Sequence, residues 1–194
     1  MQLGKYEIDV LRTLELHLPG VLVIAGKGDP SHLFCIHSSS ADKPCCPKCG
    51  SVRVRNQGNM HRQYLDVVPR GDDIAAITVD LEFRKSKCLS PDCGCVFYPE
   101  ISFAGPYSRT TRRLEDAIVR MVLEGGYSYS LISEILDGHL SRQVVGQVFH
   151  HRVRELEVDT SEEARWFRHL MRDDPPSWVY YTDRGHLWFD ILEK

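Results

Sequence analysis

Two cysteine clusters carry the clearest chemical signal in this chain: Cys45-Cys46-Pro47-Lys48-Cys49-Gly50 and Cys88-Leu89-Ser90-Pro91-Asp92-Cys93-Gly94-Cys95. A Cys-x2-Cys turn aims two sulfurs at a common centre about 2.3 Å away, and a glycine just after the second thiol lets the backbone fold around it. Each cluster supplies two thiolates, and four thiolates close a tetrahedron around one zinc ion. The expected ligands are Cys46, Cys49, Cys88 and Cys93. Cys95 is a reserve ligand, too near Cys93 for both to share the ion comfortably, and Cys45 stands in the same relation to Cys46. A closed four-sulfur site has no open position for water, so the ion stabilises the fold and does not perform chemistry. The alternative is that these are free thiols or small buried hydrophobes; Cys35, in an apolar run, reads as core.

A second pattern lies further along. Thr111–Leu123, Tyr129–Leu136 and Ser141–Leu156 have helical periodicity, and the last two have the order of a helix-turn-helix behind a supporting helix. The second helix of such a pair enters a major groove. Ser141, Arg142 and Gln143 in its first turn, with Gln147 and His150 further on, bear side chains that bond base edges or phosphates. Val144, Val145 and Val148 are the residues expected to hold it to its support. Arg109, Arg112 and Arg113 open the first helix, where cations oppose the helix dipole unless they face an anion such as phosphate. Double-stranded DNA is therefore the expected partner. A three-helix bundle with a solvated arginine face explains the periodicity equally well.

These motifs need elements to position them. An amphipathic helix is expected over Val10–Leu18, then a hairpin of Val21–Ala25 and His32–His37. Strands over Val52–Gln57, His61–Val67 and Ile74–Arg84, the first two separated by a turn at Gly58-Asn59, fill the space between the cysteine clusters. After the three helices, Thr160 and Glu163 make a capping-box signal for a fourth, running to about Arg172, and Trp178–Thr182 with Leu187–Leu192 form a closing hairpin. The fold class is thus α+β, in four segments. These are an N-terminal helix and hairpin (1–43), a β-rich zinc ribbon (44–105), a three-helix helix-turn-helix domain (106–157) and a short αβ tail (158–194).

Composition sets the outer limits. The chain has 194 residues, a net charge of -3, 42% hydrophobic and 26% charged residues, which excludes a large multidomain enzyme and a disordered chain. The odd count of seven cysteines, clustered, fits a metal site in a reducing compartment better than a secreted disulfide scaffold. The start lacks a signal peptide and no run is long enough for a membrane span, so a cytoplasmic location is expected. The last 38 residues (157–194) carry 5 basic and 9 acidic side chains, leaving a slight basic excess in the middle of the chain.

Several stretches together resemble the amino-terminal half of ISL-three-type insertion-sequence transposases. They are Leu18-Pro19-Gly20, Cys46-Pro47-Lys48-Cys49-Gly50-Ser51, Phe83-Arg84, Ser90-Pro91-Asp92-Cys93-Gly94, Gly105-Pro106-Tyr107-Ser108-Arg109 and Thr111-Arg112-Arg113-Leu114-Glu115. The resemblance covers roughly residues 10 to 156. It implies a zinc ribbon ligated by the four cysteines above and a recognition helix starting over Ser141–Val148. In that family a ribonuclease-H-like nuclease with an Asp-Asp-Glu triad follows. The turn Asp137-Gly138-His139-Leu140 is longer than the family's usual Leu-Gly-Val-Ser step. Asp183 stands where a first catalytic Asp would be, but only 11 residues follow it (194 minus 183), too few for the other carboxylates of a two-metal site. No catalytic residue is therefore assigned and the chain is not expected to be an enzyme. The expected function is DNA binding, at a transposon end or as a regulator. Two alternatives stand beside it. One is the DNA-binding part of an active transposase whose catalytic domain lies on a separate or longer chain. The other is a protein-interaction module in which Trp166, Phe167, Trp178 and Trp188 of the tail contact a partner or form a homodimer.

Overall fold

A computed structural model describes residues 21–24, 32–37, 44–70, 73–162, 164–173, 179–181 and 187–189. The expected helix over Val10–Leu18, the side chain of Cys35, and Asp183, Trp178 and Trp188 as side chains lie outside what is described. The fold is α+β. Contacts divide the chain into two compact units, Met1–Leu114 and Glu115–Lys194.

The first unit is built on a sheet. Strands β1 (Val21–Ile24), β2 (His32–His37), β3 (Val54–Arg70), β4 (Asp73–Cys88) and the short β5 (Val96–Phe97) run in the order β1-β2-β4-β3, with β5 paired to β4. β1 and β2 form the expected antiparallel hairpin, and β2 lies parallel to β4. β3 and β4 pair antiparallel along their whole length, from Arg70↔Asp73 to Val54↔Cys88. Along this ladder Tyr64, Val68, Ile77, Val79, Leu81 and Phe83 point to one face and are buried with Phe103 and Ala104. The period of two is the cause in β4, where alternate residues from Ala75 to Phe83 are apolar and share a face; β3 supplies Met60, Tyr64 and Val68 to it, with Asp66 between the last two. Tyr64 and Phe103 meet edge to face, ring centroids 5.3 Å apart.

The structure corrects the turn expected at Gly58-Asn59. β3 continues through it, because the residues on both sides pair with the same strand, and the register instead shifts between Asn56 and Asn59. Gln57 and Gly58 together oppose the single residue Lys85, a bulge. Gly58 takes φ 106, and its N–H donates to the Asn56 side chain at 2.8 Å. A turn dipeptide between two strands of one ladder therefore reads locally like a hairpin and is only a kink.

One buried carboxylate secures the chain that leads into the helices. Asp66 on β3 is fully buried. It accepts from the Val67 N–H at 2.8 Å, from the Thr111 hydroxyl at 2.5 Å, and from two nitrogens of the Arg113 guanidinium, Nε at 3.1 Å. Thr111 also caps the following helix, accepting from the Leu114 N–H at 3.2 Å. Backbone bonds from Leu65 N–H to the Arg109 carbonyl and from Thr111 N–H to the Leu65 carbonyl tie the same segment to β3.

The second unit holds helices. They are α1 (Arg112–Leu123), whose first residues belong to the first unit, α2 (Tyr129–Ile135), α3 (Arg142–Val158) and α4 (Arg165–Asp173), followed by β6 (Val179–Tyr181) paired antiparallel with β7 (Leu187–Phe189). The first three helices fall where the apolar periodicity puts them. The fourth begins later than the capping-box signal at Thr160 suggests. Asp159 is the C-cap of α3, and its carboxylate takes the Ser161 N–H at 2.8 Å, so this stretch forms a turn. Arg168 closes the turn by donating to the carbonyls of Asp159 and Ser161 at 2.6 and 2.9 Å. Within this unit Ile118, Val119, Val122, Ile132, Leu136, Val145, Phe149, Val153 and Leu156 are buried. Among the described residues no helix is long and apolar enough to cross a membrane.

Candidate metal centre and the exposed face of helix α3

The four sulfurs of Cys46, Cys49, Cys88 and Cys93 lie within 4.8 Å of one another. Two backbone knuckles place them. In the first, the Gly50 N–H donates to the Cys46 carbonyl at 2.8 Å, with Gly50 at φ 70. In the second, the Cys93 and Gly94 N–H groups both donate to the Ser90 carbonyl, with Gly94 at φ 57. Positive φ at these two positions is what glycine permits at low cost. Cys88 ends β4, and its N–H donates to the Cys95 carbonyl at 2.8 Å, which starts the return strand β5. That strand, two residues long, escaped the sequence reading; Val96-Phe97-Tyr98 after Gly94 is its only signal.

The donor set fits a metal ion. Cys46 Sγ to Cys93 Sγ and Cys49 Sγ to Cys88 Sγ are both 3.6 Å, far longer than a disulfide. Tetrahedral ligands about 2.3 Å from a shared ion would stand ~3.8 Å apart. Cys46 and Cys88 are buried, Cys93 half-buried and Cys49 exposed, whereas Cys45 is exposed and the Cys95 thiol faces the Val96 carbonyl at 3.6 Å. Neither reserve cysteine joins the cluster. Within the cluster Cys46 and Cys49 are shifted in opposite directions. Burial resists ionisation at Cys46, but the N–H groups of Cys49 and Lys48 and the thiols of Cys93 and Cys49 outweigh it and hold Cys46 down to about 6. At Cys49 the Ser51 N–H favours the thiolate, yet burial and the neighbouring thiols of Cys88, Cys93 and Cys46 prevail and push it up to about 12. Sulfurs this close cannot all ionise unless a cation sits among them.

In the second unit, two helices joined by a turn present the other set of residues. Ser128 caps α2 and Ser141 caps α3, each hydroxyl accepting from the N–H three residues on. α2 ends with the Gly138 N–H bonded to the Ser133 carbonyl and the Asp137 N–H to that of Glu134, a Schellman arrangement that puts Asp137 at φ 52. The Ser133 hydroxyl then donates to the Leu140 carbonyl at 2.6 Å across the turn. Gly146 of α3 faces Tyr129: a Cβ there would lie 2.9 Å from the ring, so glycine is what allows the close approach.

α3 has two unlike faces. Val145, Gly146, Phe149, Val153 and Leu156 are buried, together with Arg152. Arg152 donates to Asp116 of α1 at 2.8 Å and to Glu155 at 2.9 Å, joining α1 to α3 by a buried ion pair that the sequence reading missed. Arg142, Gln143, Gln147, His150, His151 and Arg154 are exposed. Val144 is 37% exposed and Val148 half-buried, so only Val145 of the three valines serves fully as support. His150 is tied to α2 by the Tyr129 hydroxyl, 3.3 Å from Nε2. Burial, with the Arg154 charge, lowers its pKa below the ordinary value. His151 and Arg154 share the exposed face with the residues singled out from the sequence, at spacings of three and four that could have found them.

The three arginines before α1 have different fates. Arg109 is exposed and Arg112 half-buried. Arg113 faces an anion, as its position at a helix start requires, and that anion is the chain's own Asp66. In the tail, Phe167 is buried and Trp166 takes the Arg120 guanidinium over its ring at 4.1 Å, so both aromatics have contacts within this chain.

No family model, curated protein or solved structure matches this chain.

Proposed function

We propose that this chain is a zinc-containing DNA-binding protein, in which a zinc ribbon holds one structural ion and a helix-turn-helix formed by α2 and α3 reads the major groove. The observation that carries the reading is the two-faced α3. Its buried side fastens it to α1 and α2, while Arg142, Gln143, Gln147, His150, His151 and Arg154 form an exposed row without a carboxylate. Gln143 to Arg154 spans about 16 Å at 1.5 Å per residue, a length suited to a groove ~12 Å wide. Arg142 stands in the first turn, where a cation is unfavourable beside the helix dipole unless an anion lies opposite. It has no carboxylate partner among the described residues. Ser141 is engaged in capping and contributes position more than base contact.

Zinc is the ion that suits four thiolates in a tetrahedron with no open position; bound there, it supplies cross-linking of the two knuckles and no reaction. The resemblance of the motifs to the recognition half of ISL-three-type transposases agrees with this reading and makes a transposon end the natural target. Selection of bound fragments from random duplex DNA tests it. The selected site should be bound with an affinity that falls with salt, and Arg142→Ala or Gln143→Ala should relax preference at individual positions, by about 1–3 kcal/mol per lost base contact. Arg109→Ala and Arg112→Ala should weaken binding to all sequences alike. Absence of any salt-dependent binding would overturn the proposal.

A further inference from the structure

Charge along the β3–β4 ladder is segregated in a way the sequence conceals. Residues 44–108 carry 8 basic and 7 acidic side chains, close to balance. Folding the ladder separates them. The metal-bearing end, 44–59 with 84–98 (Asn59 pairs with Arg84), has six cations (Lys48, Arg53, Arg55, Arg84, Lys85 and Lys87) and one acid, Asp92. The acids Asp66, Asp80 and Glu82 lie further along, Asp66 with Arg113 and the other two beside His61.

Four of the cations share one face. Arg55 stands directly across from Lys87; Lys85 is two residues from Lys87 along β4, and Arg53 lies just ahead of β3, two residues from Arg55, its carbonyl accepting from the Leu89 N–H at 2.8 Å. Arg53, Arg55 and Lys87 are exposed and Lys85 half-buried, and none has a carboxylate partner among the described residues. Like charges directly across a ladder are destabilising. This arrangement therefore works against folding unless an anion compensates it. The four cysteines draw the two knuckles together at the strand ends, and Arg53 and Lys85 flank the Arg55–Lys87 pair on opposite sides, each about 6.8 Å from it along the strands.

We propose that Arg53, Arg55, Lys85 and Lys87 form a second nucleic-acid contact, a rigid seat for the phosphate backbone of duplex DNA. It rests on the DNA-binding reading above and adds to it: α3 reads sequence, and the metal hairpin supplies sequence-independent affinity. A regular linear polyanion is the partner these features favour, because cations at steps of about 6.8 Å along an ordered strand pair match repeating phosphates, and no carboxylate competes for them among the described residues. The metal ion thereby acquires a functional consequence. By closing the hairpin end it holds together four cations that would otherwise splay.

The test uses the full zinc-loaded chain and fluorescence anisotropy with a labelled random-sequence duplex over a salt series. Arg55→Gln with Lys87→Gln should reduce the slope of log affinity against log salt by about 1.8, and affinity by roughly 60-fold at ~0.1 M salt, at about 0.9 per phosphate contact. The quadruple Gln variant should reduce the slope by about 3.6. Zinc content should be unchanged and the unfolding midpoint unchanged or raised, since a like-charge pair has been removed; this distinguishes lost contacts from lost fold. Should the quadruple variant fold poorly, the double variant alone decides. A variant slope equal to that of the parent overturns the proposal while leaving the α3 reading intact. Failure of the parent to bind any duplex overturns both. Loss of binding to anionic lipid vesicles, with duplex binding unaltered, would assign the face to a membrane surface and overturn it too.

Discussion

Replacing Arg113 by Met tests whether a cation at the start of α1 serves this chain or DNA. The Asp66 carboxylate has no exposure to solvent, and four donors from three groups satisfy it: the Val67 N–H, the Thr111 hydroxyl and two guanidinium nitrogens. Arg113→Met removes two donors and the only cation bonded to Asp66 in this network. Breaking a buried pair by deleting one partner costs about 3–5 kcal/mol, because the remaining charge stays desolvated. Thr111→Val removes one bond to a charged acceptor, about 1.5–3 kcal/mol, and the helix cap, ~1 kcal/mol. Asp66→Leu with Arg113→Met replaces the pair by apolar groups and should recover most of the loss, giving a coupling of several kcal/mol in a double-mutant cycle. Arg109→Met, at an exposed position, should stay within about 0.5 kcal/mol of the parent. Urea unfolding of the metal-loaded protein followed by circular dichroism measures these four and the single Asp66→Leu that completes the cycle. If Arg113→Met lost less than about 1 kcal/mol while DNA affinity fell, Arg113 would belong to phosphate and the reasoning would fail.

The metal site makes a selective demand: Cys46→Ser or Cys93→Ser should lose zinc and lower the unfolding temperature, while Cys45→Ser and Cys95→Ser retain one ion per chain, as metal analysis after gel filtration will show. Gly146→Ala drives a methyl to 2.9 Å from the Tyr129 ring and should cost about 1–3 kcal/mol, a loss that Tyr129→Leu in the same chain should largely restore; thermal unfolding checks both. His150 titrates below its ordinary value of 6.5, through burial first and the Arg154 charge second. The sign follows: the folded protein disfavours the imidazolium, so this residue's contribution to stability is complete above 6.5 and is lost as pH falls through the lowered folded value. Arg154→Gln should move the His150 resonance midpoint upward in an NMR titration, and an unchanged midpoint would remove Arg154 as a cause.

Much of the site was legible because its signals are local. The spacing of Cys46 with Cys49 and the glycines at positions 50 and 94 describe two knuckles whatever lies between them. Crowding leaves room for only one of Cys93 and Cys95, and it is the fold that brings Cys93 to the other three sulfurs. The helices α1 to α3 were legible for the same reason, since their apolar period and the serines at 128 and 141 act within a few residues. Where the reading went astray, the deciding partner was distant in sequence. Gly58-Asn59 became a bulge because β4 pairs on both sides of it, and Thr160 failed to start a helix because Asp159 took the Ser161 N–H.

What the sequence by itself determined is therefore the inventory: two thiol pairs, a strand-rich stretch between them, and three helices with polar residues set at one side. Which charge answers which was decided only in three dimensions. Arg113 meets Asp66 across 47 residues, Arg152 meets Asp116 across 36, and Arg55 stands opposite Lys87. A composition near balance gives no hint of this, because Coulomb energy depends on distance and burial, and neither exists until the strands are in register. The same register gathers the cations of the ladder at the end where Cys46, Cys49, Cys88 and Cys93 meet.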